Sequence, residues 1–482
     1  MSESLNYVQA DEFIRAFEAE SDLLRYQVDG WCVWPLLRMS ASLMLQDEPV
    51  PGVSRLGRWQ RLWLGLRGLP CLAFLPRKRW LISTYSTARA EKINGRFVDV
   101  FFDELLAGRS DYFKVETINN TRFHESERDY LVKSQMYMDT ISMIVGTVRM
   151  LHKPSEVAQT AAELAAALRR EPRFAELTPA HVGKVLLWFY CSKQVWSWML
   201  RRIQPKCVLR ADYAEYPLTA GAKELGIEVI EFQHGVIDRF HPGYSWSSYA
   251  LSYKPKMPIP DRLLLYGPYF QEQLAASGFW GDALRPVGSL RIDRYRQLKP
   301  AGLMREGIPA LLVTTQGLDR ERLIAFLLQF LEHCKNRLEL RVCIKLHPVY
   351  DPDKAPYIRA FGGHKNVNVL LGNEQPSTFE LLCEARWHAS IYSSCHYDAL
   401  GLGVPTIILP LALHESVKNL ADEGFALLAR SPQELRDSLL EQRPDACRQD
   451  ASSHFYTPGA LNNIRRELRL VEECSVRGEA HS

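Results

Sequence analysis

Between residues 340 and 411 short apolar runs alternate with turn residues in an order that only an α/β layer can accommodate. Leu340-Arg341-Val342-Cys343-Ile344-Lys345-Leu346 reads as a strand and breaks at His347-Pro348. A second strand, 387–392, breaks at Ser393-Ser394 and passes into a helical segment, 395–402. Gly403-Val404-Pro405 then leads into a third strand at 406–411. Proline cannot donate to a strand ladder and restricts the residue before it, so His347-Pro348 marks a strand end. Strands alternating with helices predict a parallel sheet with right-handed crossovers. Ligands bind such sheets outside the carboxyl ends of the strands, where His347, Ser393 and Ser394 are expected, with Lys345 beside them. An imidazole, cationic or hydrogen-bonding, and two hydroxyls at a helix start suit a phosphate or pyrophosphate.

The same alternation occurs upstream. Residues 206–210, 216–225 and 228–232 form a strand–helix–strand unit, with Gly226 as the helix stop. Its strands end at Ala211-Asp212 and Gln233-His234-Gly235, so Asp212 and His234 are predicted side by side on a second rim. Two structural readings compete for Asp212, a helix cap and a partner for Arg210, and Glu215 on the same loop competes for its role. Arg291 and Asp293 read as a hinge or interdomain ion pair, and solvent exposure accounts for His396 and Asp398. A strand at 310–314 turns through Thr315-Gln316-Gly317 into a helix, and Gly317 would let backbone amides approach a phosphate. A chain of 482 residues exceeds one ordinary core. The expected division is a helical segment at 1–78 and a Rossmann-like domain at 79–294 with a helical insertion near 128–203. A linker at 295–307, a second Rossmann-like domain at 308–455 and a C-terminal helix at 456–482, crossing back, complete it.

Composition narrows the function classes. A net charge of +3 on this length lacks the dense basic field of a nucleic-acid binder, so no nucleic-acid partner is expected. The ten cysteines show no CxxC spacing, and neither a metal site nor a dithiol site is expected. They predict a reducing compartment, the cytoplasm. The polar, acidic run at 1–20 predicts no secretory signal, and no apolar run approaches the roughly 20 residues of a membrane-spanning helix. Residues 55–79 interleave Trp59, Trp63, Phe74 and several leucines with arginines and contain no Asp or Glu. Two readings stand for it: a peripheral segment lying on anionic lipid at the inner face of the membrane, or a helix whose arginine stems cover apolar surface.

His347-Pro348 resembles the HP motif of bacterial sialyltransferases and Kdo transferases, and Ser393-Ser394 resembles the serine motif that accompanies it. The run from Tyr392 to Pro405 also resembles the corresponding region of CDP-glycerol glycerophosphotransferases and capsule-synthesis proteins. Gln233-His234-Gly235 and the Gly288-Ser289…Asp293 crossing are similar to features of the same group. The resemblance spans roughly 205–425 and implies an α/β fold of GT-B type, two Rossmann-like domains facing across a cleft. It implies a metal-independent glycosyltransferase without a cofactor, taking a nucleotide-sugar donor, a CMP-sugar of the Kdo or sialic type, and a surface glycan or glycolipid acceptor. Lys345, His347, Pro348, Ser393, Ser394, Gln316 and Gly317 would bind the donor, and Asp212, His234 and Glu215 would stand at the reacting centre. An N-domain aspartate is the nucleophile in retaining Kdo transferases. Asp212 fits that place, and as a general base it would instead give inversion. The rival readings are a CDP-glycerol glycerophosphotransferase, a sugar-nucleotide epimerase and a non-catalytic envelope-assembly scaffold.

Overall fold

The structure, a computed structural model, describes residues 4–47, 57–89, 91–118, 129–151, 154–298, 310–317, 319–335, 337–441 and 450–479, with side chains to residue 469. The chain divides into two compact units. The first comprises Met1–Leu265, Phe270–Pro286 and Leu461–Ser482, the second Tyr266–Tyr269 and Val287–Ala460. The strands of the first unit are β1 (Gln27–Val28), β2 (Trp31–Cys32), β3 (Trp80–Tyr85), β4 (Glu91–Ile93), β5 (Arg96–Val98), β6 (Tyr112–Thr117), β7 (Met136–Tyr137), β8 (Cys207–Arg210), β9 (Glu228–Phe232), β10 (Arg262–Leu265) and β11 (Leu284–Pro286). Those of the second are β12 (Ala310–Thr314), β13 (Arg341–Lys345), β14 (Val367–Leu370), β15 (Trp387–Ser390), β16 (Thr406–Ile408) and β17 (Leu427–Leu428).

In the first unit seven strands pair in the order β11-β10-β9-β8-β3-β6-β7, every pair parallel. The chain leaves β3 toward β6 on one side and returns to β8 on the other, so its direction of winding reverses between β3 and β8. Ligand crevices form at such reversals. Buried on both faces, β3 and β8 carry apolar residues almost without alternation, as parallel strands do. The helices Met138–Leu151 and Pro179–Ile203 cover one face, packing Ile141, Val145, Val195 and Met199 against Leu81, Phe113, Val208 and Val229. Two Asx-Gly turns make the small hairpins. Asp29-Gly30 joins β1 to β2 and Asn94-Gly95 joins β4 to β5, all four residues with positive φ, as a two-residue hairpin loop requires.

The N-terminal helices Tyr7–Glu20 and Pro35–Leu45 are bound to this unit by a buried arginine. Arg38, 1% exposed, pairs with Glu18, donates to Ser245 Oγ at 2.9 Å and to the Ser245 carbonyl at 3.1 Å, and lies over the Trp246 ring. Asp11 accepts from Ser245 Oγ at 2.5 Å. A buried pair of this kind is hard to break, because a lone buried charge is far costlier than the pair. The segment therefore anchors the loop that follows β9.

In the second unit six strands pair in the order β14-β13-β12-β15-β16-β17, again all parallel, with the reversal between β12 and β15. The helix Arg320–Cys334 lays Leu323, Leu327 and Phe330 on Leu311, Val313, Ile344 and Ala389. Residues 295–298, expected to open a linker, instead close the helix Leu290–Leu298. Arg296 holds that helix by donating to the carbonyls of Gly401 at 3.0 Å, Ser452 at 2.7 Å and Tyr456 at 2.9 Å. The rest of the expected linker, 299–307, lies outside the described residues. Arg291 and Asp293 do not pair. Arg291 lies over the Phe379 ring, while Asp293 pairs with Arg296 at 3.2 Å and accepts from the Ala460 amide at 2.6 Å. From Leu461 onward the last helix, Ala460–Glu479, belongs to the first unit.

Candidate active site

The carboxyl ends of β3, β6, β8 and β9 enclose a cavity of about 210 Å³ lined by Thr84, Tyr85, Thr117, Asp212, Glu215 and His234. Asp212, Glu215 and His234, predicted from the sequence, are thus brought together, and they lie where the sheet reverses. Asp212 Oδ1 accepts from the Ala214 amide at 2.8 Å and fixes the loop after β8. The alternative partner for Asp212 is excluded: Arg210 is buried, with Glu231 at 2.6 Å and Thr219 as its partners. The His234 ring lies nearly parallel to that of Tyr213, planes at 17° and centroids 6.1 Å apart. Gly235 stands in open space, so packing does not demand a glycine there.

Glu215 carries the perturbed chemistry. Ser83 donates to Oε1 at 2.6 Å, while Oε2 is buried without a partner. Burial pushes the carboxyl up to about 7. The Ser83 bond and Arg210 oppose the shift, and the negative Asp212 and Glu231 reinforce it. With Oε1 occupied by Ser83, the titrating proton belongs on Oε2. Two further buried polar atoms on cavity-lining residues have no partner, Thr84 Oγ1 and His234 Nδ1. A buried polar atom left unmatched costs about 1–3 kcal/mol. All three atoms belong to residues that line this one cavity at the sheet's reversal point. Thr84, Thr117 and Ser83 carry no sequence motif.

A buried ionic cluster stands behind this rim. Arg89 pairs with Glu116 at 2.9 Å and with Asp103 at 2.9 Å, and Lys114 pairs with Asp99 at 2.9 Å and Asp103 at 2.6 Å. It ties the turn after β3 to β6, whose last residue is Thr117.

In the second unit the expected donor residues lie along one rim but are not alike. His347 Nδ1 accepts the amides of Val349 at 3.1 Å and Tyr350 at 3.0 Å, so the neutral ring keeps its proton on Nε2. Burial lowers its pKa further, which makes it a neutral hydrogen-bond donor and not a cation. Pro348 follows, exposed, packed so closely against Gly372 that a Cβ there would lie 2.5 Å from Pro348 Cδ. Gly317, with φ +78°, is required by the same turn: a Cβ would meet the Tyr350 carbonyl oxygen at 2.1 Å. Asp351 locks the turn, accepting from Thr315 Oγ1 at 2.5 Å, Tyr357 at 2.7 Å and Arg320 at 2.9 Å.

Lys345 departs from expectation. Its ammonium is buried and donates to the carbonyls of Glu374 at 2.5 Å and Pro376 at 2.9 Å, an internal brace for the loop after β14. Among the described residues Gln316 bonds Ser390 alone, with long contacts at 3.4 and 3.5 Å. Ser393 is buried and accepts from the Cys395 amide at 3.2 Å, while Ser394 is exposed with no cap bond from its side chain. His396 and Asp398, read as solvent-facing, are engaged: His396 is fully buried beside Thr406 at 2.6 Å, and Asp398 accepts from Tyr456 at 2.9 Å. Among the described residues no group of three or more His, Cys, Asp or Glu is placed to hold a metal ion, and no helix is long and apolar enough to cross a membrane.

No protein-family model matches the chain, and no curated protein matches it. Solved structures do. A Listeria monocytogenes protein named as a candidate UDP-N-acetylglucosamine 2-epimerase aligns with TM-score 0.50 and 13% identity, over 81% of this chain and 96% of that one. MurG of Acinetobacter baumannii gives 0.46 and 12% over 82% and 99%, and the calicheamicin glycosyltransferase CalG4 gives 0.48 and 13% over 82% and 98%. At these identities the likeness concerns the fold alone. With two all-parallel Rossmann-like units and a helical N-terminal extension, the chain has the GT-B fold.

Proposed function

We propose that the chain is a glycosyltransferase that moves a sugar acid of the Kdo or sialic type from a CMP-activated donor to a hydroxyl of a surface glycan or glycolipid. It would do so without a bound cofactor. The reading rests on one observation above the others: the unmatched Glu215 Oε2, Thr84 Oγ1 and His234 Nδ1 around one cavity at the first sheet's reversal. Glu215, titrating near neutrality, is matched to a general base. It removes the proton of the acceptor hydroxyl as that oxygen bonds to the anomeric carbon. The bond from that carbon to the donor phosphate breaks, and the nucleotide leaves with the electron pair. Such direct displacement inverts the configuration. Thr84 and His234 hold polar groups of the bound sugar, and Asp212 keeps the loop in place.

The second unit receives the nucleotide. His347 offers Nε2–H and Ser394 a hydroxyl, and both groups can meet phosphate oxygens. The CMP assignment rests on the resemblance of His347-Pro348 and Ser393-Ser394 to the motifs of CMP-sugar enzymes. The acceptor is lipid-bound in this reading, since Trp59 is 79% exposed and Phe74 85% exposed in a segment with no acidic residue. Replacing both by serine is expected to abolish flotation with anionic vesicles, and undiminished flotation would remove the membrane contact.

The test pairs titrations of CMP, CDP and UDP with a transfer assay on Glu215→Gln. CMP is expected to bind most tightly, with its affinity unchanged in the variant while transfer falls by about 10²-fold or more. Tight UDP binding without CMP binding would discard the donor. Conversion of a UDP-sugar without any acceptor would favour the epimerase reading, in keeping with the name of the Listeria protein.

A further inference from the structure

The amino ends of the parallel strands in the first unit form a rim opposite the Glu215 cavity. Around β3 and β8 that rim is rich in basic residues, with Asp111, Glu228 and Asp261 at the ends of β6, β9 and β10. Arg77-Lys78-Arg79 leads into β3, Lys206 leads into β8, and Arg201 and Arg202 end the helix before it. A second cavity, of about 320 Å³, lies here, with Trp80, Leu105 and Leu468 as apolar lining and Arg109, Arg465 and Arg469 as its charged lining. No carboxylate lines it. Arg109 is oriented by two bonds to Asp111, at 2.9 and 2.6 Å, and lies over the Trp80 ring at 4.1 Å. Arg465 and Arg469 stand one turn apart on the last helix, which buried Ile464 and Leu468 fix to the unit. Neither has an ion pair or hydrogen bond among the described residues. Glu467, between them in sequence, pairs with Arg262 at 3.0 Å and is not available to neutralise them.

Two like charges four residues apart on a helix repel. They supply the uncompensated positive charge of the cavity, while Arg109, its charge balanced by Asp111, offers its remaining N–H groups over the Trp80 ring. Guanidinium forks match the paired oxygens of phosphate. We propose that this cavity binds a phosphate ester, its oxygens shared by Arg109, Arg465 and Arg469 and its organic part lying on Trp80, Leu105 and Leu468. The ligand is either a lipid headgroup or a soluble phosphorylated molecule. The site is distinct from the Glu215 cavity, since Trp80 and Tyr85 are the two ends of β3.

The test uses the full chain, with inorganic pyrophosphate as one probe and phosphatidylglycerol vesicles as the other. Pyrophosphate is expected to bind saturably, more weakly as salt rises. Arg465→Gln/Arg469→Gln should lose one site or at least about tenfold in affinity, with its unfolding midpoint unchanged because both side chains are exposed. Arg109→Gln should weaken the same site. Vesicle binding that falls in the double variant and is competed by pyrophosphate identifies a headgroup. Loss of pyrophosphate binding with vesicle binding intact identifies a soluble phosphate. Pyrophosphate stoichiometry and affinity equal in wild type and both variants, or no saturable binding by the wild type, would overturn the proposal.

Discussion

Glu215 shows how much of a site's chemistry lies outside its local sequence. Asp212 and His234 were placed by a rule about strand ends, and both line the cavity. Glu215 could be named as a competitor on the same loop but not weighted, because its shift comes from burial, only partly offset by the bond from Ser83, 132 residues earlier. Arg210 shows the same limit in reverse, since its partner Glu231 is on the neighbouring strand and not on its own loop. The shift of Glu215 carries a consequence for stability. Its folded pKa of about 7 lies above the ordinary 4.5, so between these values the unfolded chain has lost the proton that the folded protein keeps. Stability contributed by this group therefore falls as pH rises from about 4.5 to about 7 and stays low above that. Glu215→Gln removes the titration. In urea unfolding, the variant should gain on the wild type across that window and remain more stable above it, and a difference independent of pH would contradict the assigned shift.

At the scale of elements, the strands were the most legible, because runs such as 340–346 and 228–232 are rich in Val, Ile, Leu and Phe and end at turn residues, although each carries two charged residues, Arg341 and Lys345 in the first and Glu228 and Glu231 in the second. Turn chemistry was partly legible. Asn94-Gly95 is a hairpin signal in its own right and makes the β4–β5 turn. The helix Leu290–Leu298 was not legible: its arginines resemble a connector, and Arg296 stabilises it through carbonyls more than a hundred residues away. The strand-to-helix turn at Gly317 was found, but for another reason than the one the structure gives. Its glycine makes room for the Tyr350 carbonyl at the His347-Pro348 turn. Gly317→Ala should cost about 2 kcal/mol or more, from the positive φ and the overlap together. It should also weaken nucleotide binding, since the turn carrying His347 must move. Measured by calorimetric titration, wild-type affinity in this variant would show that the turn does not contact the nucleotide.

For the whole molecule, the alternation of strand and helix was enough to give two parallel-sheet units, since each βα repeat leaves few topologies open. The polar connections were not. The N-terminal segment looked like a preamble, whereas Arg38 binds it to the loop after β9, which bears His234 at its start. A fold of this kind hosts several chemistries, so function has to be argued from the site. The central claim is that Glu215 is the base that activates the acceptor. The pH dependence of kcat/KM for sugar transfer tests it most directly. The wild type should rise through an apparent pKa near 7, as Glu215 loses its proton, and Glu215→Gln should show a residual rate without that rise. A variant that keeps the same acid limb and a comparable rate would contradict the account.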